Sequence, residues 1–191
     1  MTYKVMLISG SPRKKGNSMA ALKLAAEELQ AAGLETEIVS LAGMDIGACR
    51  ACSPCQCGSG GCIIKDGANE IYEKIREADG LILAAPVYYG TPRGDIMNFI
   101  QRLGMYSARN GRFLEGKVGG PIAVARRGGH TAALNEMLMF CYICGMVVCG
   151  SHYWNMMVGM DPGDVLDDEE GVSTVRTFAK NVARTIKKLR D

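Results

Sequence analysis

Hydrophobic and polar positions change their period repeatedly along the chain. Lys4-Val-Met-Leu-Ile-Ser9 is a short apolar run closed by Gly10, Ser11 and Pro12, the pattern of a strand buried on both faces. From Ser18 onward, Leu22, Ala25, Ala26 and Leu29 recur at helical spacing until Gly33 stops the helix. Glu35 to Leu41 alternates and predicts a second strand. Ile71, Ile75 and Ala78 mark a helix starting near Asp66, and Gly80 to Val87 is a wholly apolar third strand. Thr91-Pro92 predicts a helix start, a cap followed by proline in the first turn, with Ile96, Phe99, Ile100 and Leu103 as the inner face. A fourth strand fits Val118 to Ala125, a fourth helix Thr131 to Cys144, and a fifth strand Met146 to Gly150. The last helix carries Val175, Phe178, Ala179, Val182, Ile186 and Leu189 on one face, with Asp167, Asp168, Glu169 and Glu170 near its start, where negative charge suits the helix dipole.

Strands alternating with helices imply a parallel sheet covered on both faces. Five such strands fit an α/β, doubly wound sheet of the flavodoxin order, although sequence alone does not fix the order. The 191 residues contain no internal repeat and no linker, so a single domain over 1–191 is expected. One segment breaks the rhythm. Residues 42–65 form a cysteine-rich loop insertion after the second strand, and loops of that length in compact domains are commonly functional.

Composition narrows the field. Hydrophobic residues make up 48% and charged residues 22%, which excludes disorder and fibrous repeats. The net charge of +2 excludes a strongly basic nucleic-acid binder and counts against a strongly acidic electron carrier. Met137 to Cys149 is the longest apolar stretch and falls short of the ~20 residues that span a membrane. Val5 to Ile8 is likewise too short for a secretion signal. A cytoplasmic enzyme with neither membrane nor nucleic-acid partner is the expectation.

Eight cysteines change the picture, five of them at Cys49, Cys52, Cys55, Cys57 and Cys62. Three thiolates at i, i+3 and i+6 can cover three corners of a cubane cluster, and a later cysteine the fourth. Pro54, Gly58, Gly60 and Gly61 would let the backbone approach the sulfurs. Cys57 is a fifth thiol that a four-ligand site does not need. Zinc held by four thiolates and metal-free loop packing are the competing readings. Cys141 and Cys144, on the apolar face of the fourth helix with Leu134, Met137 and Leu138, read as core packing.

Beyond the first strand, Ser9-Gly-Ser-Pro-Arg-Lys-Lys-Gly-Asn-Ser18 leads directly into a helix. Backbone N–H groups and the helix dipole favour an anion there. Ser11, Asn17 and Ser18 add donors, and Arg13 adds a planar cation suited to phosphate. Gly10 and Gly16 are one residue too far apart for a P-loop, and no G-x-G-x-x-G is present, so ATP hydrolysis is disfavoured. The plain alternative is a solvated turn capped by Ser18.

Gly10-Ser-Pro-Arg13, Gly16 and Asn17-Ser18 resemble the phosphate loop of NADPH-dependent FMN reductases and their flavodoxin-like relatives. Ala85-Pro-Val-Tyr-Tyr-Gly90 resembles the family's flavin loop, and Ala125-Arg-Arg-Gly-Gly-His130 sits where the family wraps the isoalloxazine ring. The cysteine spacing and its position resemble the iron–sulfur flavoprotein branch. The third helix departs from the pattern: Met97-Asn-Phe-Ile-Gln-Arg102 stands where relatives show Lys-x-Phe-x-Asp-Arg. The resemblance implies FMN held by Ser11, Arg13, Gly16, Asn17, Ser18, Pro86, Val87, Tyr88, Tyr89, Gly90, Arg126, Gly128 and Gly129. It also implies a 4Fe–4S cluster on Cys49, Cys52, Cys55 and Cys62. Ferredoxin or NAD(P)H is the implied donor, a small molecule or protein the acceptor, and a homodimer or homotetramer the assembly. His130 would stand near the flavin ring, and His152, Tyr153 and Trp154 would border the flavin of a neighbouring subunit. A cluster-free NAD(P)H:FMN or quinone reductase and a flavodoxin-like carrier are the alternatives.

Overall fold

The computed structural model describes residues 2–52, 55 and 61–190. Five long helices and seven strands follow one another as β1 (Lys4–Ser9), α1 (Asn17–Ala31), β2 (Glu35–Ser40), α2 (Ala68–Glu77), β3 (Gly80–Tyr88), β4 (Thr91–Pro92), α3 (Gly94–Arg109), β5 (Val118–Ala125), α4 (His130–Ile143), β6 (Val147–Val148), β7 (Met156–Val158) and α5 (Glu169–Arg190). The sheet runs β2-β1-β3-β5, with its fifth position shared by β6 and β7. All these pairings are parallel; only β4, turned back on β3, is antiparallel. This is the flavodoxin-like arrangement, and its winding reverses between β1 and β3.

The apolar runs explain the layering. Successive strand side chains point to opposite faces, so a run buried on both faces feeds two cores. Met6, Ile8, Leu81 and Leu83 pack with Ile71, Tyr72, Phe99, Leu103 and Met137 from α2, α3 and α4. Val5, Leu7, Ile82 and Ala84 pack with Leu22, Leu29, Phe178 and Ile186 from α1 and α5. Each fully buried large apolar side chain contributes about 1.5–3 kcal/mol relative to exposure.

Two expectations are corrected. Thr91-Pro92 does not start a helix. Tyr89 (φ 51°) and Gly90 (φ 88°) reverse the chain in two residues, both with the positive φ that a tight hairpin turn requires, and Thr91 pairs back on Tyr88 and Pro92 on Val87. The Thr91 hydroxyl donates to Pro92 O, and α3 begins only at Gly94. The strand expected over Met146 to Gly150 is Val147–Val148 alone, and Met156–Val158 takes over at the other end of β5. The cause lies in β5. Gly119 O accepts from Cys149 N–H, Ala123 N–H donates to Asn155 O, and Ala125 O accepts from Gly159 N–H. Pro121 occupies the same alternating row and has no N–H to offer, so the rung between the two short strands is missing.

Candidate functional site

The carboxyl ends of β1, β3 and β5 surround a hollow of about 190 Å³ at the reversal point. Ser11, Arg13, Gly16, Asn17 and Ser18 line it from the β1–α1 loop, Pro86, Val87 and Tyr88 from β3, and Arg126 from beyond β5. The loop is shaped by its own polar groups. Ser9 Oγ accepts from Ser11 N–H (3.4 Å), Ser11 Oγ from Arg13 N–H (3.2 Å), and Arg13 O from Gly16 N–H (3.0 Å). A Cβ at Gly16 would meet Ser11 Oγ at 2.9 Å, so only glycine lets the turn close this tightly. No side chain caps α1, and no acidic residue stands in its first turn. The Ser18 hydroxyl is buried and has no partner. An uncapped helix start, an unpartnered hydroxyl and an exposed arginine are the donor set of a phosphate site.

The remaining flavin-loop residues stand outside the lining of this hollow. Tyr89 is fully exposed at the hairpin tip with Gly90 beside it. Gly129 (φ 84°) presses the β5–α4 loop onto that hairpin, since a Cβ there would lie 2.9 Å from Val87 Cγ1 and 3.1 Å from Gly90 Cα. Gly128 faces open space. His130 is buried, with Nε2 3.0 Å from Met157 O, and ties α4 to β7. The sequence reading missed Val124, Gly159 and Met160, which with Ala125 complete the hollow. Gly163 N–H donates to Asn17 Oδ1 (2.7 Å), binding the segment after β7 to the phosphate loop.

A second hollow, of about 130 Å³, gathers Cys49, Cys52, Cys55 and Cys62 against Arg102, Met105, Tyr106 and Arg109 of α3. Its frame is polar. Asn69 clasps Cys62 twice, Oδ1 accepting its N–H (3.0 Å) and Nδ2 donating to its carbonyl (2.8 Å). Asn110 Nδ2 donates to Cys55 O (2.9 Å), and Asn98 Nδ2 to Ile46 O (2.9 Å). Arg102 and Asp66 form a buried ion pair between the two ends of the loop. Burial alone would raise Asp66, but Arg102 and the N–H groups of Gly47 and Ala68 hold its carboxyl below the usual range. Burial first, and then the neighbouring Cys62, Cys52 and Cys49, push the Cys55 thiol up. Among the described residues no three His, Cys, Asp or Glu side chains stand close enough together to hold a metal ion as placed. Cys57, Pro54, Gly58 and Gly60 lie outside the described residues. A larger hollow, about 600 Å³ between α3 and α4, shares Met105 with the cysteine hollow.

Residues 3–160 match the family model of NADPH-dependent FMN reductase. An iron-sulfur flavoprotein of Methanocaldococcus jannaschii is 37% identical over 96% of this chain and 97% of its own length. One of Methanosarcina thermophila is 34% identical over 98% and 99%. The chain belongs to the NADPH-dependent FMN reductase family, in its iron–sulfur flavoprotein branch. Solved structures agree in fold. RosB with bound 8-demethyl-8-formylriboflavin-5'-phosphate superposes with a TM-score of 0.78 at 17% identity, covering 99% of this chain and 81% of that one. An apo NADH:FMN oxidoreductase superposes with a TM-score of 0.65 at 22% identity, covering 99% and 89%.

As a member of this FMN reductase family, the chain is a flavin-dependent oxidoreductase. Its hollow at the reversal point has the donor set that the FMN phosphate needs. Gly159 and Met160 were legible only through β7: a strand ending beside Ala125 delivers the next residues to the same sheet edge, and the break at Pro121 hid that strand. No helix among the described residues is long and apolar enough to cross a membrane.

Proposed function

We propose that this chain binds FMN in the hollow between β1, β3 and β5 and one 4Fe–4S cluster on Cys49, Cys52, Cys55 and Cys62. In this reading it moves electrons between ferredoxin or NAD(P)H and a small-molecule or protein acceptor, as a homodimer or homotetramer. The observation that carries the reading is the convergence of all four thiols on one hollow, with Cys55 and Cys62 already fixed by Asn110 and Asn69. The donor chemistry fits, because soft thiolates suit iron–sulfur clusters.

FMN exchanges one or two electrons and a cluster exchanges one, so together they link one-electron donors to two-electron acceptors. The chain supplies position and surroundings. The N–H groups at the start of α1, with Ser11, Ser18 and Arg13, bind the phosphate; Gly16 keeps the turn close enough for them to converge. Pro86, Val87 and Tyr88 form one wall and Val124, Ala125 and Met160 another. Asn69, Asn110 and the Arg102–Asp66 pair hold the loop against α2 and α3.

Absorption spectra of anaerobically purified protein before and after dithionite, with iron and acid-labile sulfide assays, test this. Flavin bands over a bleachable shoulder, with about four irons and four sulfides per chain, are expected for one cubane cluster. Flavin without iron after reconstitution sinks the cluster. The cluster-free NAD(P)H:FMN or quinone reductase is then the reading that stands.

A further inference from the structure

We propose that Arg102 is the protein's hydrogen-bond donor to the thiolate-bound cluster and holds its reduction potential up, a role that rests on the cluster reading above. Arg102 stands in the middle of α3, its side chain 1% exposed, and lines the cysteine hollow. A guanidinium has five N–H bonds in a fixed fork. Here Nη1 reaches Gly47 O (3.1 Å) and Asp66 Oδ2, and Nη2 reaches Asp66 Oδ1 (3.2 Å) and Ile64 O (3.5 Å). One donor remains: Nε is buried and has no hydrogen-bond partner among the described residues.

A buried donor left unpaired is costly, so an arginine that lines the hollow of four thiols with one N–H unspent calls for an acceptor. Thiolates and cluster sulfides are the acceptors that this hollow would contain. Arg50 and Arg109 line the same hollow but are exposed, where water screens their charge. Arg102 is shielded. One-electron reduction, by dithionite or a ferredoxin-type donor, adds one negative charge at the sulfurs and breaks no bond. A buried guanidinium stabilises that reduced state more than the oxidised one, and hydrogen bonds to sulfur act in the same direction. Asp66, paired with the guanidinium, works against it by cancelling part of its charge.

Redox titration of the reconstituted holoprotein, followed by the visible and electron paramagnetic resonance signals of the cluster, reads this directly. Arg102→Gln is expected to shift the equilibrium at least tenfold toward the oxidised cluster, about 59 mV for a one-electron couple. Asp66→Asn is expected to shift it the opposite way. Arg102→Lys, which keeps the charge but not the fork, is expected to fall between wild type and Arg102→Gln. Variants that keep iron, sulfide and the wild-type potential overturn the proposal. So does loss of the cluster from all three variants while fold and FMN are retained, since Arg102 is then only a clasp on the loop. Wild-type protein that binds FMN but takes up no iron overturns the cluster reading itself, and that result is visible before any variant is compared.

Discussion

Ser18 and Lys117 are both buried polar groups, with opposite consequences. The Ser18 hydroxyl lacks a hydrogen-bond partner among the described residues, so removing it takes no such bond from the chain. Ser18→Ala is expected to leave the apoprotein as stable as wild type or slightly more so. The same change is expected to weaken FMN binding by roughly 10- to 100-fold, since hydrogen bonds to charged groups are worth about 1.5–3 kcal/mol. Fluorescence titration with FMN and urea denaturation read the two effects separately; unchanged affinity would remove Ser18 from the phosphate site. Lys117 is satisfied instead, its Nζ donating to Arg76 O (2.9 Å) and Ala78 O at the end of α2. Burial pushes its pKa down to about 8 from 10.5. Between those values the folded chain binds fewer protons than the unfolded one, so this group adds stability as pH rises from 8 to 10.5. Below 8 the cost of the buried charge is constant. The stability of wild type minus that of Lys117→Met should therefore rise by at most about 3 kcal/mol across that window. Taking the difference cancels the buried thiols Cys141 and Cys144, whose pKa values burial raises from 9.0 to about 12 and about 11 and which therefore act from about 9 upward. A flat difference in urea midpoints would show that Lys117 does not titrate there.

At the scale of elements, what could be read in the sequence depended on whether a segment carried its own reason for its shape. β1, β3 and β5 are apolar runs bounded by glycine, proline or charge, and α1 and α5 repeat at helical spacing; both signals are local. The hairpin at Tyr88–Thr91 and the divided fifth strand are not local. Proline after threonine reads as a helix start until Tyr89 and Gly90 turn the chain, and Val147 and Met156 belong to one sheet position only because β5 lies between them. The phosphate loop was legible because its donors are contiguous. The frame of the cysteine loop was not, because Asn69 lies in α2 and Asn98 and Asn110 lie in α3 and at its end, and they meet the loop only in the fold. Asn69→Ala removes both hydrogen bonds that fix Cys62. It should lower iron and sulfide per chain while FMN content stays near wild type, and iron at the wild-type level would show that Cys62 needs no clasp.

Across the whole molecule, α3 connects the two hollows. It begins just after the hairpin that carries Tyr88 and ends beside Cys55, a length of roughly 24 Å at 1.5 Å per residue. The hollows share no lining residue. Sites so separated behave additively within about 0.5 kcal/mol. Stripping iron with a chelator should therefore leave the FMN dissociation constant within roughly threefold, measured by fluorescence; a larger change would reveal coupling through α3.

The missing rung at Pro121 has a consequence for how this chain can diverge. Because Gly119 and Ala123 are paired by different short strands, chain added between Gly150 and Trp154 leaves both registers as they are. The connection is held at its ends and is tacked to α5 by Asn181 at Gly150 and by Thr174 and Thr177 at His152. Doubling such a loop costs about 0.6 kcal/mol of closure entropy. Tyr153 and Trp154 already stand exposed on it. The sheet thus contains an expansion joint, a place where descendants of this sequence acquire new surface without retuning the strands that surround the hollow at the reversal point.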